Sequence, residues 1–192
     1  MVFKKFLMFL SLTTAMWFIM SCGADYGDGN SNDSSVPPNL ADGNYYWWSL
    51  SNAGASASVS ASPNHISFQL NMPRPHIENA YASIGANGHD YKNIYSVYDW
   101  SGFSGIDITY SSDREIFVFL HDVNDNMNAA LLPAGTNVSA SLNLSDFNAF
   151  ADRPLNTPNH LILQATGVTV GWESMSTTGV VTKFVLRGVV RK

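Results

Sequence analysis

Short stretches in which apolar and polar residues alternate recur along most of the chain. Ile66, Phe68 and Leu70 occupy alternate positions, with polar residues between them. Residues 106–110 and 138–144 alternate in the same way. A period of two is typical of a β-strand that buries one face and exposes the other. The pattern therefore predicts strands wherever it recurs.

Turn residues separate these stretches, so the chain predicts about ten strands. No window of eleven or more residues keeps a helical period, and residues 145–148 are predicted as a capped helical turn. Many short strands with turn signals between them indicate an all-β fold, an antiparallel sandwich or barrel. The predicted strands are residues 45–50, 53–61, 65–71, 80–84 (before a turn at 85–88), 106–110, 116–122, 128–132, 138–144, 160–165, 168–172 and 182–191.

Residues 1–21 form a predicted lipoprotein signal peptide. Lys4 and Lys5 precede an apolar run, residues 6–20, that is shorter than the roughly 20 residues a membrane-spanning helix needs. Ile-Met-Ser-Cys at residues 19–22 resembles the lipobox of bacterial lipoproteins, which implies lipidation of Cys22. Cys22 is the only cysteine and cannot form an internal disulfide. The alternative is an ordinary cleaved signal peptide with an incidental cysteine.

The sequence also predicts where the protein resides and how it is attached. Residues 22–43 consist mainly of Gly, Asn, Asp, Ser and Pro, a composition typical of a flexible membrane tether before a folded domain at residues 44–192. In the lipoprotein resemblance, Gly23 after the cysteine implies the outer membrane. The formal net charge is −5, which gives no cationic surface for nucleic acid or anionic lipid. We therefore expect no nucleic-acid partner.

A family resemblance starts at the turn Ser-Gly-Phe-Ser-Gly-Ile, residues 101–106, which leads into a strand. It continues through residues 117–122, 142–147 and 184–189. Together these segments resemble non-catalytic carbohydrate-binding modules of the galactose-binding-like kind, including family 11. The resemblance implies a two-sheet jelly roll of about ten strands, no enzymatic activity, and a polysaccharide or oligosaccharide as partner.

Two positions depart from that family. Its last strand commonly carries an aspartate that helps to hold a structural calcium ion, and here the position is Arg187, whose charge would repel a cation. The arginine or glutamine expected near the sugar is not evident, and His121 is its nearest counterpart. Asp-x-Asn-x-Asn at residues 122–126 begins like a calcium loop, but Met127 and Pro133 replace the required Gly and Glu. No cofactor is predicted, and a structural calcium in an irregular loop stays open.

The candidate ligand-binding residues follow from sugar chemistry. A neutral glycan offers apolar C–H faces that stack on flat rings, and hydroxyls that pair with short polar side chains. The candidate platforms are Tyr81, Trp172 and one of Trp47 or Trp48. The candidate polar rim is His121, Asn126 and Asn128. The alternatives are aromatic core packing and an ordinary polar hairpin end.

The sequence contains no motif typical of a metal site or of a catalytic site. The five histidines, at positions 65, 76, 89, 121 and 160, show no His-x-x-x-His spacing, so no metal site is predicted. The carboxylates stand singly, whereas glycoside hydrolysis needs two across a cleft. Our first hypothesis is a surface-tethered carbohydrate-binding lipoprotein. The second is a structural or adhesive envelope lipoprotein that binds a protein, and a small glycan-active enzyme ranks third.

Overall fold

The computed structural model describes residues 36–43, 45–52, 54–72, 81–88, 98–122, 126–148, 158–166 and 175–192. Within these ranges the protein contains twelve β-strands and one short 3-10 helix, Leu144–Asp146. No helix in the described ranges is long and apolar enough to cross a membrane. The all-β prediction is confirmed.

The strands form two five-stranded antiparallel sheets and one small two-stranded sheet. The first sheet has the order β1-β4-β10-β7-β8, the second has the order β2-β3-β11-β6-β9, and β12 pairs with β5. This arrangement agrees with the predicted β-sandwich of the jelly-roll kind. The strands are β1 Tyr45–Ser51, β2 Ser56–Ser62, β3 His65–Met72, β4 Tyr81–Gly88, β5 Tyr98–Asp99, β6 Gly105–Ser112, β7 Ile116–Asp122, β8 Met127–Leu132, β9 Gly135–Asn143, β10 Pro158–Thr166, β11 Met175–Arg187 and β12 Val190–Arg191.

The main core lies between the two sheets, where the alternating apolar positions meet. On β3, Ile66, Phe68, Leu70 and Met72 are buried while the residues between them are half-buried or exposed. Burial of a side chain of this size stabilises a fold by about 1.5–3 kcal/mol. The same alternation on the other strands of the second sheet closes the core from one side. The period of two in the sequence therefore determines which face of each strand turns inward.

The longest strand, β11, holds the second sheet together. Its first half pairs with β3, and its second half pairs with β6. The register shifts between Val181 and Lys183, which is the irregularity expected of a β-bulge. At Gly179 a Cβ atom would stand 2.3 Å from the Phe68 ring and 2.5 Å from the Ser111 carbonyl oxygen. Only glycine fits where these strands pack so closely.

The segment before β1 is part of the fold. The Leu40 amide donates to the Phe184 carbonyl at 2.8 Å, and the Leu186 amide donates to the Pro38 carbonyl at 2.9 Å. The Asn39 side chain accepts from the Phe184 amide at 2.9 Å. Leu40 is 2% exposed. Packed structure thus starts at least as early as Pro38, within the residues whose composition predicted a tether.

The largest differences from the predicted bounds are at β4, β11 and β12. The turn predicted at residues 85–88 is instead the second half of β4, because these small residues pair with β1. β11 begins at Met175, earlier than residue 182, because β3 supplies a partner for its Thr-rich start. The predicted strand at residues 182–191 is broken at Gly188, whose positive φ of 76° turns the chain into β12. The predicted strand at 168–172 lies outside the described residues.

Candidate functional site

The outer side of the first sheet carries aromatic rings. On β7, Ile116, Val118 and Leu120 enter the main core, so Phe117 and Phe119 lie on the opposite face. Their ring centroids are 5.8 Å apart with an interplanar angle of 68°, an edge-to-face contact. Ala129 on β8 and the half-buried Trp48 on β1 pack with them. We call this outer surface of the first sheet the aromatic face.

Exposed apolar side chains lie at both edges of the aromatic face. On β1, Leu50 shares the face of Trp48 and is 48% exposed. On β8, Met127 and Leu131 share the face of Ala129 and are 49% and 45% exposed. Phe117 and Phe119 are 7% and 3% exposed, so they form the floor of the surface. The accessible apolar groups are Trp48 and the three edge residues.

Small residues lie on the outer side of β4, next to β1. Ser83 is buried, and its hydroxyl donates to the Leu50 carbonyl at 3.1 Å, so this polar group is satisfied within the sheet. Gly85 is paired in register with Trp48. Because glycine has no side chain, nothing on β4 rises beside the indole ring at this position. Ser83 and Gly85 are themselves buried, so neighbouring side chains cover this part of β4.

The outer side of the second sheet has the opposite character, and we call it the hydroxyl face. It carries Ser, Thr, Asn and Gln side chains that hydrogen-bond to one another across the strands. Its cross-strand hydrogen bonds are Asn71 Nδ2 to Ser56 Oγ at 3.0 Å, Gln69 Nε2 to Ser176 Oγ at 3.2 Å, and Thr109 Oγ1 with Ser139 Oγ at 3.1 Å. These groups already satisfy part of each other's hydrogen-bonding capacity. No large ring projects from its described positions.

A shallow depression of about 530 Å³ opens on the second sheet. Its lining includes Ser67, Ser111 and Thr178, with Asp113 as its charged group. The two Asp113 carboxylate oxygens accept from the Thr178 amide at 2.9 Å and from the Thr178 hydroxyl at 3.1 Å. The carboxylate is therefore engaged in joining β11 to the loop after β6. The depression lacks a stacking platform.

Arg187 takes a position where the family resemblance implied a calcium-binding aspartate. Its Nη2 donates to the Leu142 carbonyl at 2.6 Å and to Asn143 Oδ1 at 3.0 Å. Its Nε lies 3.4 Å from Asp107 Oδ1. Three oxygen atoms from β6 and β9 thus surround a guanidinium group. The protein's own cation bridges strands at this point.

Two of the predicted ligand-binding residues lie on strands of the first sheet, but far apart. Tyr81 begins β4, shares the parity of Ser83, and is paired with Thr166. His121 follows Phe119 at the strand period and is paired with His160. Residues 160 and 166 lie near opposite ends of β10, about 20 Å apart at about 3.4 Å per residue. The two predicted residues therefore lie towards opposite ends of the first sheet.

The two predicted asparagines have structural roles in the turn between β7 and β8. The Asn126 backbone amide donates to Asp122 Oδ1 at 3.0 Å, and its side chain donates to Asp122 Oδ2 at 2.9 Å. Asn128 has the parity of Ala130 and Leu132, which enter the main core. Its Oδ1 is buried and has no hydrogen-bond partner. The structure thus places both asparagines away from the rings of the aromatic face.

The structure separates the two adjacent tryptophans between which the sequence left the choice open. Trp47 is in the core, where its indole N–H donates to the Leu40 carbonyl at 3.0 Å. Trp48 is on the aromatic face. The sequence interpretation also missed Phe117 and Phe119 as parts of the site, although their shared parity with His121 was visible. Trp172 and Cys22 lie outside the described residues.

Among the described residues, three ionisable groups have shifted pKa values, and all three lie away from the aromatic face. Burial raises the pKa of the Tyr45 phenol, and its hydrogen bond with Tyr98 adds to the effect. Burial also raises the pKa of Tyr110, whose hydroxyl donates to the Pro133 carbonyl at 2.7 Å. The Ser101 amide, donating at 2.9 Å, lowers the pKa of Asp99. Each shift has a structural cause in the core or in a turn.

Among the described side chains, no three His, Cys, Asp or Glu residues lie close enough to share a metal ion. Of the residues suspected of forming a calcium loop, Asp122 has both carboxylate oxygens hydrogen-bonded by Asn126. Residues 123–125 lie outside the described ranges. The described part of the loop is arranged as a hydrogen-bonded turn.

No protein-family model matches the chain, and a search of curated proteins finds no match. The solved structures to which the chain is similar include carbohydrate-binding modules of families 29 and 11. A family 29 module shares 8% identity over 81% of this chain and 85% of its own, with a TM-score of 0.46. A variant of a family 29 module, complexed with cellulohexaose, shares 8% identity over 82% of this chain and 92% of its own, with a TM-score of 0.47.

The family 11 module from Clostridium thermocellum is also among these structural neighbours. That structure contains a β-1,3-1,4-mixed-linked tetrasaccharide. It shares 15% identity over 74% of this chain and 88% of its own, with a TM-score of 0.45. At this level of similarity, a site has to be argued from the chain's own residues.

Proposed function

We propose that this protein is a non-catalytic carbohydrate-binding lipoprotein that holds a neutral polysaccharide or oligosaccharide on its aromatic face. The observation that carries the proposal is that the half-buried Trp48, paired with Gly85 of β4, packs against Phe117 and Phe119 on the outer side of the sheet. Tyr81 stands at one end of the same face. A long surface with an accessible indole suits a chain of sugars lying across the strands.

The chemistry of the aromatic face favours a neutral ligand. Sugar rings present C–H groups that pack against a ring face, and such contacts are worth about 0.5–1.5 kcal/mol beyond the area buried. Single contacts of this size give weak binding. Many copies anchored on one membrane would raise the effective concentration of sites and compensate for it.

Attachment to the bacterial outer membrane through Cys22 forms the second part of the proposal. It is supported by the lipobox-like residues 19–22 and by the polar composition that follows them. A lipid anchor with more than one acyl chain holds a protein stably, since each buried methylene contributes about 0.8 kcal/mol. A Cys22→Ala variant should leave the membrane fraction and lose labelling by a radioactive fatty acid. A variant that stays membrane-bound contradicts the anchor.

Affinity electrophoresis tests the glycan proposal directly. The purified chain is run through gels containing soluble β-glucan, xylan or mannan, the first choice being the mixed-linked β-glucan suggested by the family 11 neighbour. We expect retardation by at least one polymer. Trp48→Ala should weaken it by about tenfold, equivalent to 1.4 kcal/mol. Tyr81→Ala and Trp172→Ala test the other two platforms in the same gels.

Ser139→Ala is the matched control, because Ser139 is exposed on the hydroxyl face. This variant should migrate like the parent chain in every gel. If no polysaccharide retards the parent, the glycan proposal is wrong. Retardation that persists unchanged in Trp48→Ala removes Trp48 from the site, and retardation that also persists in Tyr81→Ala excludes the aromatic face as its cause.

A second candidate function is an adhesive or structural role in which the same face binds an envelope protein. The exposed edge residues Leu50, Met127 and Leu131 favour it, because apolar groups at the border of a face suit a protein partner. Chemical cross-linking in cells would distinguish the two functions. A protein adduct that Leu131→Ser abolishes, together with no retardation by any polysaccharide, would select the adhesive role.

A further inference from the structure

The first sheet ends at β8, which has one open edge. β8 pairs with β7 on one side and is the last strand in the order of this sheet. Edge strands of natural proteins usually carry a charge, a proline or a bulge that keeps another strand from pairing with them. β8 contains no charged residue and no proline, and its pairing with β7 runs without a register shift. This edge therefore lacks the usual protection.

The hydrogen bonds to β7 show which backbone groups of β8 are open. The Asp122 amide donates to the Asn126 carbonyl at 3.0 Å, so these two residues form a hydrogen-bonded pair. Hydrogen-bonded and non-hydrogen-bonded pairs alternate along an antiparallel ladder, so the even-numbered residues of β8 bond to β7. The residues that direct their N–H and C=O groups to the open edge are Met127, Ala129 and Leu131. No backbone hydrogen bond from another described segment reaches these three.

The three open residues are complementary to a second copy of themselves. Two β8 strands that run antiparallel about a two-fold axis at Ala129 bring the two Ala129 residues opposite each other. The same axis places Met127 of each copy opposite Leu131 of the other. Each of these pairs can exchange two N–H···O bonds, because all their groups are open. Pro133, which has no N–H, follows the strand and ends the match.

The side chains at these positions also suit such a partner. Met127 and Leu131 lie on the same side of β8 and are 49% and 45% exposed. Opposite each other across the axis, their Cβ atoms would be about 4.5–5.5 Å apart, so both side chains would lose contact with water. The edge strands of the second sheet, β2 and β9, expose serines on their outer side instead, such as Ser56 and Ser139. They would bury much less apolar surface.

We propose that two copies of this protein pair through β8, so that their two first sheets become one continuous antiparallel sheet. The occupant is a second copy because the open residues match themselves in spacing, hydrogen-bonding groups and apolar character. Backbone hydrogen bonds supply the contact, as in other cases of strand addition, and the apolar pair at each end fixes the register. Trp48 lies at the opposite edge of the sheet, on β1, so the pairing does not depend on glycan binding.

Thiol cross-linking tests the register of the pair. All chains carry Cys22→Ser, which removes the only native thiol, and are purified at full length in detergent. Met127→Cys and Leu131→Cys chains are mixed in equal amounts and treated with a short bifunctional thiol reagent. We expect a cross-linked dimer, because the two positions face each other. Each variant treated alone should lose this product, since its two thiols would lie roughly 14 Å apart at about 3.4 Å per residue.

Two results of the cross-linking would overturn the proposal. One is a mixture that gives no dimer. The other is a single variant that gives as much dimer as the mixture, which would mean that the chains meet without this register. In cells, an adduct of twice the mass of the chain is the pair itself, whereas an adduct of another mass belongs to the adhesive role.

Light scattering after size-exclusion chromatography counts the chains in each particle. We expect two chains in the parent and one after Leu131→Lys, because an ammonium group would have to be buried against Met127 of the other copy. Leu50→Lys is the matched control, since Leu50 is 48% exposed on β1 at the opposite edge of the same sheet. It should leave two chains in the particle.

Leu131→Pro removes one of the open N–H groups and keeps every backbone bond to β7, so it serves as a second variant if Leu131→Lys fails to fold. It should also give particles of one chain, with a circular dichroism spectrum like that of the parent. A parent particle of one chain contradicts the pairing. So does a particle of two chains after Leu131→Pro, or one of a single chain after Leu50→Lys.

Discussion

The two outer faces of the sandwich are built on similar five-stranded antiparallel sheets, yet they differ in chemistry. The aromatic face combines two floor phenylalanines, a half-buried tryptophan and apolar edges. The hydroxyl face consists of short polar side chains that bond across the strands, such as Thr109 with Ser139. One face has large surfaces still available for a partner, whereas the other uses its polar groups internally. Sheet architecture alone therefore does not determine which face can bind.

The difference between the faces originates in which positions of each strand are apolar. On β7 both parities are apolar, so one set fills the core and the other builds an outer surface. On β3 only one parity is apolar, and the outer positions hold Ser67, Gln69 and Asn71. A strand that is apolar on both sides within a solvated antiparallel sheet thus indicates a second buried surface.

The largest expected effect is a difference in the free energy of unfolding between a substitution on the aromatic face and one on the hydroxyl face. Phe119→Ala should lower the free energy of unfolding by about 3 kcal/mol, because it removes a buried ring from the floor of the aromatic face. Ser139→Ala, on the hydroxyl face, should change it by no more than about 0.5 kcal/mol. Urea denaturation followed by tryptophan fluorescence measures both values. Equal losses would mean that the two faces are not packed differently.

The Arg187 bridge gives an intermediate effect on the side of the hydroxyl face. Arg187→Ala should lower the free energy of unfolding by about 1.5 kcal/mol. The guanidinium group donates hydrogen bonds to the Leu142 carbonyl and to Asn143 Oδ1, and the side chain is 29% exposed. Lys183→Ala, an exposed cation on the same strand, should leave the stability unchanged.

Chelation sharpens the test of the Arg187 bridge. Because the guanidinium group occupies the oxygen cluster, EDTA should not change the melting temperature of the parent chain. A loss of stability in EDTA that calcium restores would contradict this assignment. Differential scanning calorimetry with and without each additive gives the answer.

The smallest expected effect is on the free energy of unfolding at alkaline pH, and it comes from Tyr45 in the core between the two sheets. Burial raises the pKa of Tyr45 above its ordinary value of 10.0, so the folded chain binds this proton more tightly than the unfolded chain does. The resulting stability is fully present below pH 10.0 and is lost as the pH rises above it. Urea denaturation at a series of pH values should show this decline, and Tyr45→Phe should make it less steep. A parent curve that stays flat above pH 10.0 would contradict the shift.

The sequence predicted the fold class and most strands because the period of two is a local property. It failed at β4, where Gly85 resembles a turn residue but is held in a strand by partners on both sides. It also could not choose between Trp47 and Trp48. Four consecutive residues at the start of β1 are aromatic, so the sequence does not show which of its two faces turns towards the core. Tyr81 and His121 were predicted as site residues from residue type, and their binding role stays a prediction. Their separation depends on the order of strands in the sheet, which is a non-local property.

The hydrogen bonds of Pro38, Asn39 and Leu40 to β11 determine how a mechanical load enters the domain. A pull on the N-terminal end of the chain reaches β11 first, through Phe184 and Leu186. That strand is secured by β3 along one half and by β6 along the other, so the force is shared among the strands of the second sheet. The next strand, β1, carries Trp48 of the aromatic face and is loaded only when these hydrogen bonds break. A chain held by its N-terminal end under flow would therefore keep the shape of that face.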